Sequence, residues 1–233
     1  MIRPQFVAEG IYHVYNRSVE RRNIFVDDKD RFRFVHDLFE FNDSAPATNM
    51  NYRSRDASNG NAALFMKKPR EKLVDILCFC MMRDHYHLLL QQRVDSGITE
   101  FMRKIGTGYT NYFNQKHQRI GPLFQGNFKA VHVVQEAHLQ YLPHYIHCNP
   151  LDFFMPEWRN RRIHDARKVQ KFLETYRWSS YPDYAGKRNF PSLLSFDVYA
   201  EIIGSPTSYK QDLGEWLRDM DFTLFQGLTF GEL

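Results

Sequence analysis

The sequence contains little cysteine, no long apolar run and no strong excess of one charge. Three cysteines among 233 residues are too few for a disulfide framework, and Cys78 and Cys80 stand two residues apart in an apolar stretch, which is typical of reduced core residues. No apolar run approaches the roughly 18–20 residues of a membrane span, and the first residues do not resemble a signal peptide. These absences exclude a disulfide-stapled scaffold and a membrane-spanning chain, and they predict a soluble cytoplasmic protein.

The residues that are present favour one large folded domain, or a domain with an appendage. Hydrophobic residues make up 43% of the chain and aromatic residues 15%, enough to build a buried core. The net charge of +4 indicates little, but no Asp or Glu occurs between Phe101 and Gln135, where basic and aromatic residues are interleaved. Such a surface suits a phosphate backbone with unstacked bases, although a solvated basic helix with its aromatic side chains in the core gives the same pattern.

Hydrophobic periodicity predicts alternating strands and helices, with strands at about 10–17, 72–82, 85–92 and 128–134 and helices at about 28–42, 98–117 and 136–148. This order predicts an α+β fold, an antiparallel sheet with helices packed on one face. Pro143 predicts a kink in the last helix or a helix start near it. We assign residues 1–155 to one domain, with a flexible insertion at 44–70, and residues 156–233 to a basic C-terminal extension.

Two histidines two residues apart are the most informative feature of the chain. His85 and His87 lie in the predicted strand 85–92, where side chains alternate between faces, so both imidazoles point the same way about 6–7 Å apart. Two imidazoles on one face can share a metal ion, while Tyr86 and Leu88 face the opposite side. Two hydrogen-bonded strand histidines would give the same pattern, so the pair needs partners from elsewhere in the chain.

A tyrosine and an asparagine in the predicted helix before Pro150 are candidates for these partners. Tyr145 and Asn149 are four residues apart and therefore lie on one helix face, which can pack above the two histidines. Two nitrogens and one amide oxygen leave coordination positions open for phosphate oxygens, as suits Mg²⁺ or Mn²⁺ in phosphoryl transfer. His144 and His147 flank the tyrosine, and the sequence leaves open whether such a base, a water or the influence of the metal takes its proton.

Five short stretches together resemble the single-tyrosine transposases of the HUH nuclease superfamily, which serve bacterial insertion sequences, and the related REP-associated tyrosine transposases. In chain order they are Tyr12-His13-Val14-Tyr15-Asn16-Arg17, His85-Tyr86-His87-Leu88-Leu89, Gly121-Pro122-Leu123-Phe124-Gln125-Gly126-Asn127-Phe128-Lys129, Tyr145-Ile146-His147-Cys148-Asn149-Pro150 and Trp178-Ser179-Ser180-Tyr181. They span about residues 10–185. The sequence departs from the family pattern at Arg83-Asp84, where Pro-Asn is commoner, at Pro143 and in the 44–70 insertion.

The resemblance implies a ferredoxin-like or RRM-like fold in which His85, His87 and Asn149 bind the metal and Tyr145 is the nucleophile. It implies a transposase that uses Mg²⁺ or Mn²⁺ to cleave and rejoin single-stranded DNA at sites flanked by hairpins or inverted repeats, through a 5′-phosphotyrosine. The sequence does not decide between a homodimer that exchanges tyrosine helices and a self-sufficient monomer. The basic residues that we expect to contact DNA are Arg17, Arg103, Lys104, Lys116, Arg119, Lys129, Arg161 and Arg162.

Three other interpretations remain open on the sequence. A non-catalytic regulator that binds hairpin DNA would present a similar surface. A rolling-circle type nuclease would use Tyr141 and Tyr145 as a pair of nucleophiles. A zinc site would combine Cys78 and Cys80 with the histidines.

Overall fold

The structure is a computed structural model that describes residues 4–46, 70–160, 163 and 165–218. Within these residues four strands form one antiparallel sheet in the order β2-β3-β1-β4. The strands are β1 (Ile11–Arg17), β2 (Val74–Met81), β3 (His85–Gln92) and β4 (Lys129–His132). Most of the predicted 44–70 insertion, together with Arg161 and Arg162, lies outside the described residues.

The helices of the described residues are α1 (Asp28–Glu40), α2 (Gly97–Lys116), α3 (Glu136–Cys148), α4 (Leu151–Phe154), α5 (Ala166–Thr175), α6 (Tyr181–Tyr184), α7 (Phe196–Ile203) and α8 (Pro206–Trp216). Because α1 connects β1 to β2 and α2 connects β3 to β4, the first part of the chain has the βαββαβ order of the ferredoxin-like fold. The predicted α+β fold is confirmed. No helix in the described part of the chain is long and apolar enough to cross a membrane.

The two faces of the sheet are covered by different helices. The ring of Tyr86 in β3 lies 4.9 Å from that of Phe34 in α1, and Tyr109 of α2 packs on the same Phe34 ring at 5.1 Å. His87, one residue further along β3, faces the other way, and its ring lies 6.4 Å from that of Tyr145 in α3. The sequence predicted helices on one face of the sheet, whereas the structure has helices on both. Helices α1 and α2 cover one face, while α3 and α7 pack on the other side of the sheet.

Helix α3 runs through Pro143 and begins at Glu136, so the alternative start near Pro143 is not used. Proline has no backbone N–H and removes one intrahelical hydrogen bond at this point. Further along the chain, the backbone of 178–180 pairs with the outer edge of β2: Met81 N donates to Trp178 O, and Ser180 N donates to Phe79 O, both at 2.9 Å. Chain from both sides of the assigned 155/156 boundary thus packs into one core, and an otherwise open sheet edge is covered.

Candidate active site

The candidate site lies on one face of the two central strands. Alternation along β3 puts His85 and His87 on this face, and the antiparallel register sets Arg17 of β1 opposite His85 and Tyr15 opposite His87. His13, two residues before Tyr15, shares the same face. The sheet therefore presents a row of polar side chains from two neighbouring strands to α3.

Seven side chains surround a cavity of about 130 Å³ on this face: Arg17, His85, His87, Tyr145, Asn149, Asp152 and Arg159. One chain thus brings together the four residues that the sequence analysis singled out as metal ligands and nucleophile. Tyr141, one turn before Tyr145, does not line this cavity, and its ring lies 6.3 Å from that of His144.

Each histidine of the pair is oriented by a contact through its Nδ1 atom. His85 Nδ1 lies 2.5 Å from Asp84 Oδ1, and His87 Nδ1 lies 2.9 Å from His13 Nε2. Arg17 holds Asp84 in turn, with its Nε 3.5 Å from Asp84 Oδ2. Because both contacts use Nδ1, Nε2 is the atom through which each ring would ligate a cation.

Burial keeps the central histidine in the protonation state that a metal ligand requires. Burial, followed by neighbouring His85 and His13 and by the guanidinium groups of Arg159 and Arg17, lowers the pKa of His87 well below its ordinary value. A neutral imidazole is the form that binds metal. Two guanidinium groups against one carboxylate, that of Asp152, line the cavity, and the excess positive charge suits a phosphate group.

Asn149 ends α3 with its side-chain amide held in one orientation. Its Nδ2 donates to the backbone carbonyls of Tyr145 and Ile146 at 3.0 and 3.2 Å. Its Oδ1 accepts a hydrogen bond from Arg159 Nη2 at 3.1 Å. An amide oxygen has two lone pairs, so Oδ1 can accept this bond and still ligate a cation.

Arg159 contacts the candidate nucleophile directly, although the sequence analysis did not single it out. Its Nη1 donates to Tyr145 Oη at 3.3 Å. Asp152 fixes the guanidinium by accepting from Nε and Nη2, both at 3.0 Å, and Trp158 Nε1 donates to the same carboxylate at 2.7 Å. The Asp152 carboxylate thus holds the Arg159 guanidinium against the phenol oxygen of Tyr145 and the amide oxygen of Asn149.

The basic residues of α2 that we expected to contact DNA differ in their exposure and in their partners. Lys104 is buried and donates to the backbone carbonyls of residues 43 and 45. Lys116 pairs with the carboxylates of Asp27 and Asp30, each at 2.7 Å. These two carboxylates stand before and within α1, far away in sequence, so a local count of acidic residues around α2 could not reveal them.

The other described basic residues fall in separate places. Arg17 lines the candidate site, Lys129 is exposed at the start of β4, and Arg119 donates to Asn114 Oδ1 at 2.7 Å. Arg103 pairs with Glu100 at 2.6 Å and lines a second cavity of about 730 Å³, between α2 and the 122–128 loop. This larger cavity includes Tyr86 and so lies on the opposite face of the sheet from the histidine pair.

His144 and His147, the candidate proton acceptors, point away from the site. His147 Nδ1 lies 2.6 Å from Tyr209 Oη and its Nε2 lies 2.7 Å from Ser180 Oγ. The ring of His144 packs on that of Tyr209 at 4.6 Å. Burial lowers the pKa of His144 to about 3 and that of His147 well below its ordinary value. Neither is placed to accept a proton from Tyr145, and both instead join α3 to the C-terminal helices.

These buried histidines should make the fold sensitive to acid. A histidine whose pKa is lower in the folded state takes up a proton on unfolding, so the free energy of unfolding falls once the pH drops below the unfolded pKa of about 6.5, by about 1.4 kcal/mol per pH unit for each such group. For His144 this loss continues to about pH 3. His144→Phe keeps a ring against Tyr209. We expect it to lower the slope of the free energy of unfolding against pH by the contribution of about one proton. Urea unfolding at several pH values measures it, and an unchanged slope would contradict the assignment.

The zinc interpretation finds no support in the described ranges. No group of three or more His, Cys, Asp or Glu side chains there is close enough to hold a metal ion. Cys78, Cys80 and Cys148 are buried free thiols, and burial raises the pKa of each. A raised pKa disfavours the thiolate that zinc requires. A cation in the cavity beside His85 and His87 would instead use the amide oxygen of Asn149 as its third donor.

The fold and the site define a class of protein: a ferredoxin-like domain in which a phenol, an amide and two imidazoles surround a cationic cavity. The family model described as "Transposase IS200 like" matches residues 48–149. This stretch includes β2, β3, α2, β4 and α3, and with them both histidines, the tyrosine and the asparagine. The resemblance identified from the motifs is thus confirmed over residues 48–149, which match the IS200-like transposase family.

A comparison with curated proteins finds no similar sequence. Among solved structures, a REP-associated tyrosine transposase bound to a REP hairpin matches with a TM-score of 0.47 and 13% identity, covering 85% of this chain and 92% of that chain. A candidate transposase from Deinococcus radiodurans matches with a TM-score of 0.34 and 14% identity, covering 62% and 95%. The tRNA(His) guanylyltransferase from Saccharomyces cerevisiae has a TM-score of 0.32 and 10% identity, covering 91% and 79%.

Proposed function

We propose that this transposase-family protein is a metal-dependent single-stranded DNA endonuclease and strand transferase in which Tyr145 is the nucleophile. The observation that carries the proposal is the convergence of His85, His87, Tyr145 and Asn149 on one cationic cavity. The family match supports the transposase class. Because one chain supplies all four side chains, we further propose that a single subunit is sufficient for cleavage.

The donor set fits a divalent cation. His85 and His87 would ligate it through Nε2 and Asn149 through Oδ1, a combination of nitrogen and neutral oxygen ligands that leaves positions for phosphate oxygens. When bound, Mg²⁺ or Mn²⁺ would polarise the scissile phosphate and stabilise negative charge on its oxygens. Two cationic side chains already surround this cavity, so we expect the cation to bind more tightly once the DNA phosphate is present.

The side chains of the cavity have distinct tasks in the proposed reaction. Arg17 and Arg159 bind the phosphate, and Tyr145 Oη attacks phosphorus while its proton passes to solvent water, from which the leaving 3′-oxygen takes one up. The bond between phosphorus and the 3′-oxygen breaks, and that oxygen gains a proton, which yields a 5′-phosphotyrosine and a free 3′-hydroxyl. Attack by a different 3′-hydroxyl reverses these steps and rejoins the DNA without an external energy source.

Arg159 has the contact needed to stabilise negative charge on the attacking oxygen. We expect Arg159→Gln to slow single-turnover adduct formation by about 10²-fold, since the loss of one donor to a developing oxyanion costs about that much. The rate of adduct formation by Arg159→Lys should lie between those of the wild type and Arg159→Gln, because lysine keeps the charge but lacks the planar guanidinium that Asp152 holds. Arg93→Gln is the matched control, since Arg93 also pairs with a buried carboxylate, that of Asp75, at 2.7 Å. Wild-type rates for Arg159→Gln would contradict this role.

The proposed function is tested with purified protein, Mn²⁺ or Mg²⁺, and labelled single-stranded DNA whose hairpin is taken from inverted repeats flanking the gene. We expect a nicked strand and a protein–DNA adduct that survives denaturation. Binding of the hairpin with neither nick nor adduct, under either ion, would establish the non-catalytic regulator instead.

A further inference from the structure

We propose that a row of four aromatic rings beside the cavity binds unpaired nucleotides of the DNA strand next to the scissile phosphate, a proposal that rests on the proposed function. We call this row the aromatic platform; in spatial order it consists of Phe154, Phe172, Tyr176 and Phe153. The ring centroids of Phe154 and Phe172 are 4.4 Å apart and nearly parallel, those of Phe172 and Tyr176 are 6.3 Å apart, and those of Tyr176 and Phe153 are 6.5 Å apart. The four rings therefore form a continuous surface.

The platform begins at the rim of the catalytic cavity. Phe153 directly follows Asp152, which lines the cavity, and the guanidinium of Arg83 lies 4.8 Å from the centre of the Phe153 ring. Arg83 directly precedes Asp84, which contacts His85. Neighbouring Cα atoms are about 3.8 Å apart, so Phe153 is one residue from the cavity residue Asp152, and Arg83 is two residues from the cavity residue His85. We expect a nucleotide adjacent to the phosphate in the cavity to reach Phe153 and Arg83.

The platform combines exposed rings with fixed inner ones. Phe153 and Phe154 are 41% and 36% exposed. Tyr176 is anchored, since its Oη donates to Met81 O at 2.6 Å. Phe153 and Phe154 therefore carry accessible ring surface next to rings of which one, Tyr176, is held by a hydrogen bond, and accessible ring surface is what base stacking uses.

Charge distinguishes single-stranded DNA from other occupants of this surface. Arg83 lies over the Phe153 ring, and Lys168 Nζ lies 5.6 Å from the centre of the Phe154 ring. A cation beside each exposed ring pairs a phosphate contact with a stacking contact, as in proteins that bind single strands without sequence preference. An apolar protein partner would offer these two cations no counter-charge. The platform also continues a cavity that is itself suited to phosphate.

The test measures binding in the Tyr145→Phe background, so that it does not depend on cleavage. The probe is a fluorescein-labelled oligothymidylate, and the platform variants are Phe153→Leu and Phe154→Leu, which keep apolar volume but remove the ring. We expect each to weaken binding by about tenfold, and Phe153→Trp to retain it. The matched control is Phe39→Leu, because Phe39 is 37% exposed and the guanidinium of Arg70 lies 4.0 Å from its ring centre.

Several outcomes would overturn the platform. Platform variants that bind as tightly as Phe39→Leu would exclude stacking, and an equal loss of binding to duplex DNA would assign the effect to charge or folding. A change in molecular mass on size exclusion, with DNA binding unchanged, would identify a second copy of the chain as the occupant. Failure of the proposed function is separate: wild-type protein would then form no adduct, while the platform variants would still weaken binding to the oligothymidylate.

Discussion

Replacing Tyr145 with phenylalanine should abolish the covalent protein–DNA adduct and leave DNA binding within about twofold of wild type. The substitution removes only the hydroxyl group, which is the proposed attacking atom. The ring itself is held by packing, with centroids 6.4 Å from His87 and 6.3 Å from Trp158. Arg159 no longer donates its 3.3 Å hydrogen bond to the phenol oxygen, but Asp152 still holds the guanidinium. The fold and the phosphate-binding cations should therefore remain in place.

The measurement pairs a denaturing gel of labelled DNA, in the presence of Mn²⁺, with fluorescence anisotropy for binding. Tyr141→Phe is the control, since Tyr141 lies one turn earlier on α3 but does not line the cavity. We expect it to form the adduct at the wild-type rate. If Tyr145→Phe still formed adducts, the nucleophile would lie elsewhere; if Tyr141→Phe also blocked turnover, the rolling-circle interpretation with two tyrosines would be favoured.

Local periodicity predicted the parts of the fold and the site that depend on local geometry. The strand with the histidine pair was predicted at 85–92, the bounds that β3 has, because two-residue alternation fixes the face of each side chain. Four-residue spacing likewise predicted that Tyr145 and Asn149 share a helix face, and both line the cavity. The order of elements then determined the α+β fold.

Contacts between distant segments could not be predicted in this way. Nothing in the sequence of the basic C-terminal extension distinguishes Arg159 from its neighbours, because its role depends on Asp152 and on the packing of the chain after α3. His13 had a local signal, since it alternates with Tyr15 and Arg17 in the first motif as the histidine pair does in the second. The pairing partner of that strand was needed to place it beside His87.

Removing the divalent cation should eliminate cleavage, and so should replacing either histidine of the pair. We expect chelation by EDTA to stop nicking by the wild-type protein and Mn²⁺ to restore it. His85→Gln and His87→Gln should stay inactive when Mn²⁺ is added, because each lacks one of the three proposed protein ligands. Both should still bind DNA, since Arg17 and Arg159 remain. Cleavage by the wild-type protein in EDTA would contradict metal dependence.

The contact between His13 and His87 allows a second test of metal binding by His87, in which we expect a partial effect. His13 Nε2 lies 2.9 Å from His87 Nδ1 and orients the ring without touching the cavity. We expect His13→Phe to raise the Mn²⁺ concentration required for half-maximal cleavage by about 10- to 100-fold, while saturating Mn²⁺ restores most of the rate. His132→Phe is the matched control, because His132 pairs with Tyr12 in the same sheet. Its ring lies 4.6 Å from that of Tyr12, on the face of the sheet opposite to His13. A Mn²⁺ requirement unchanged by His13→Phe would mean that His13 does not orient His87 for metal binding.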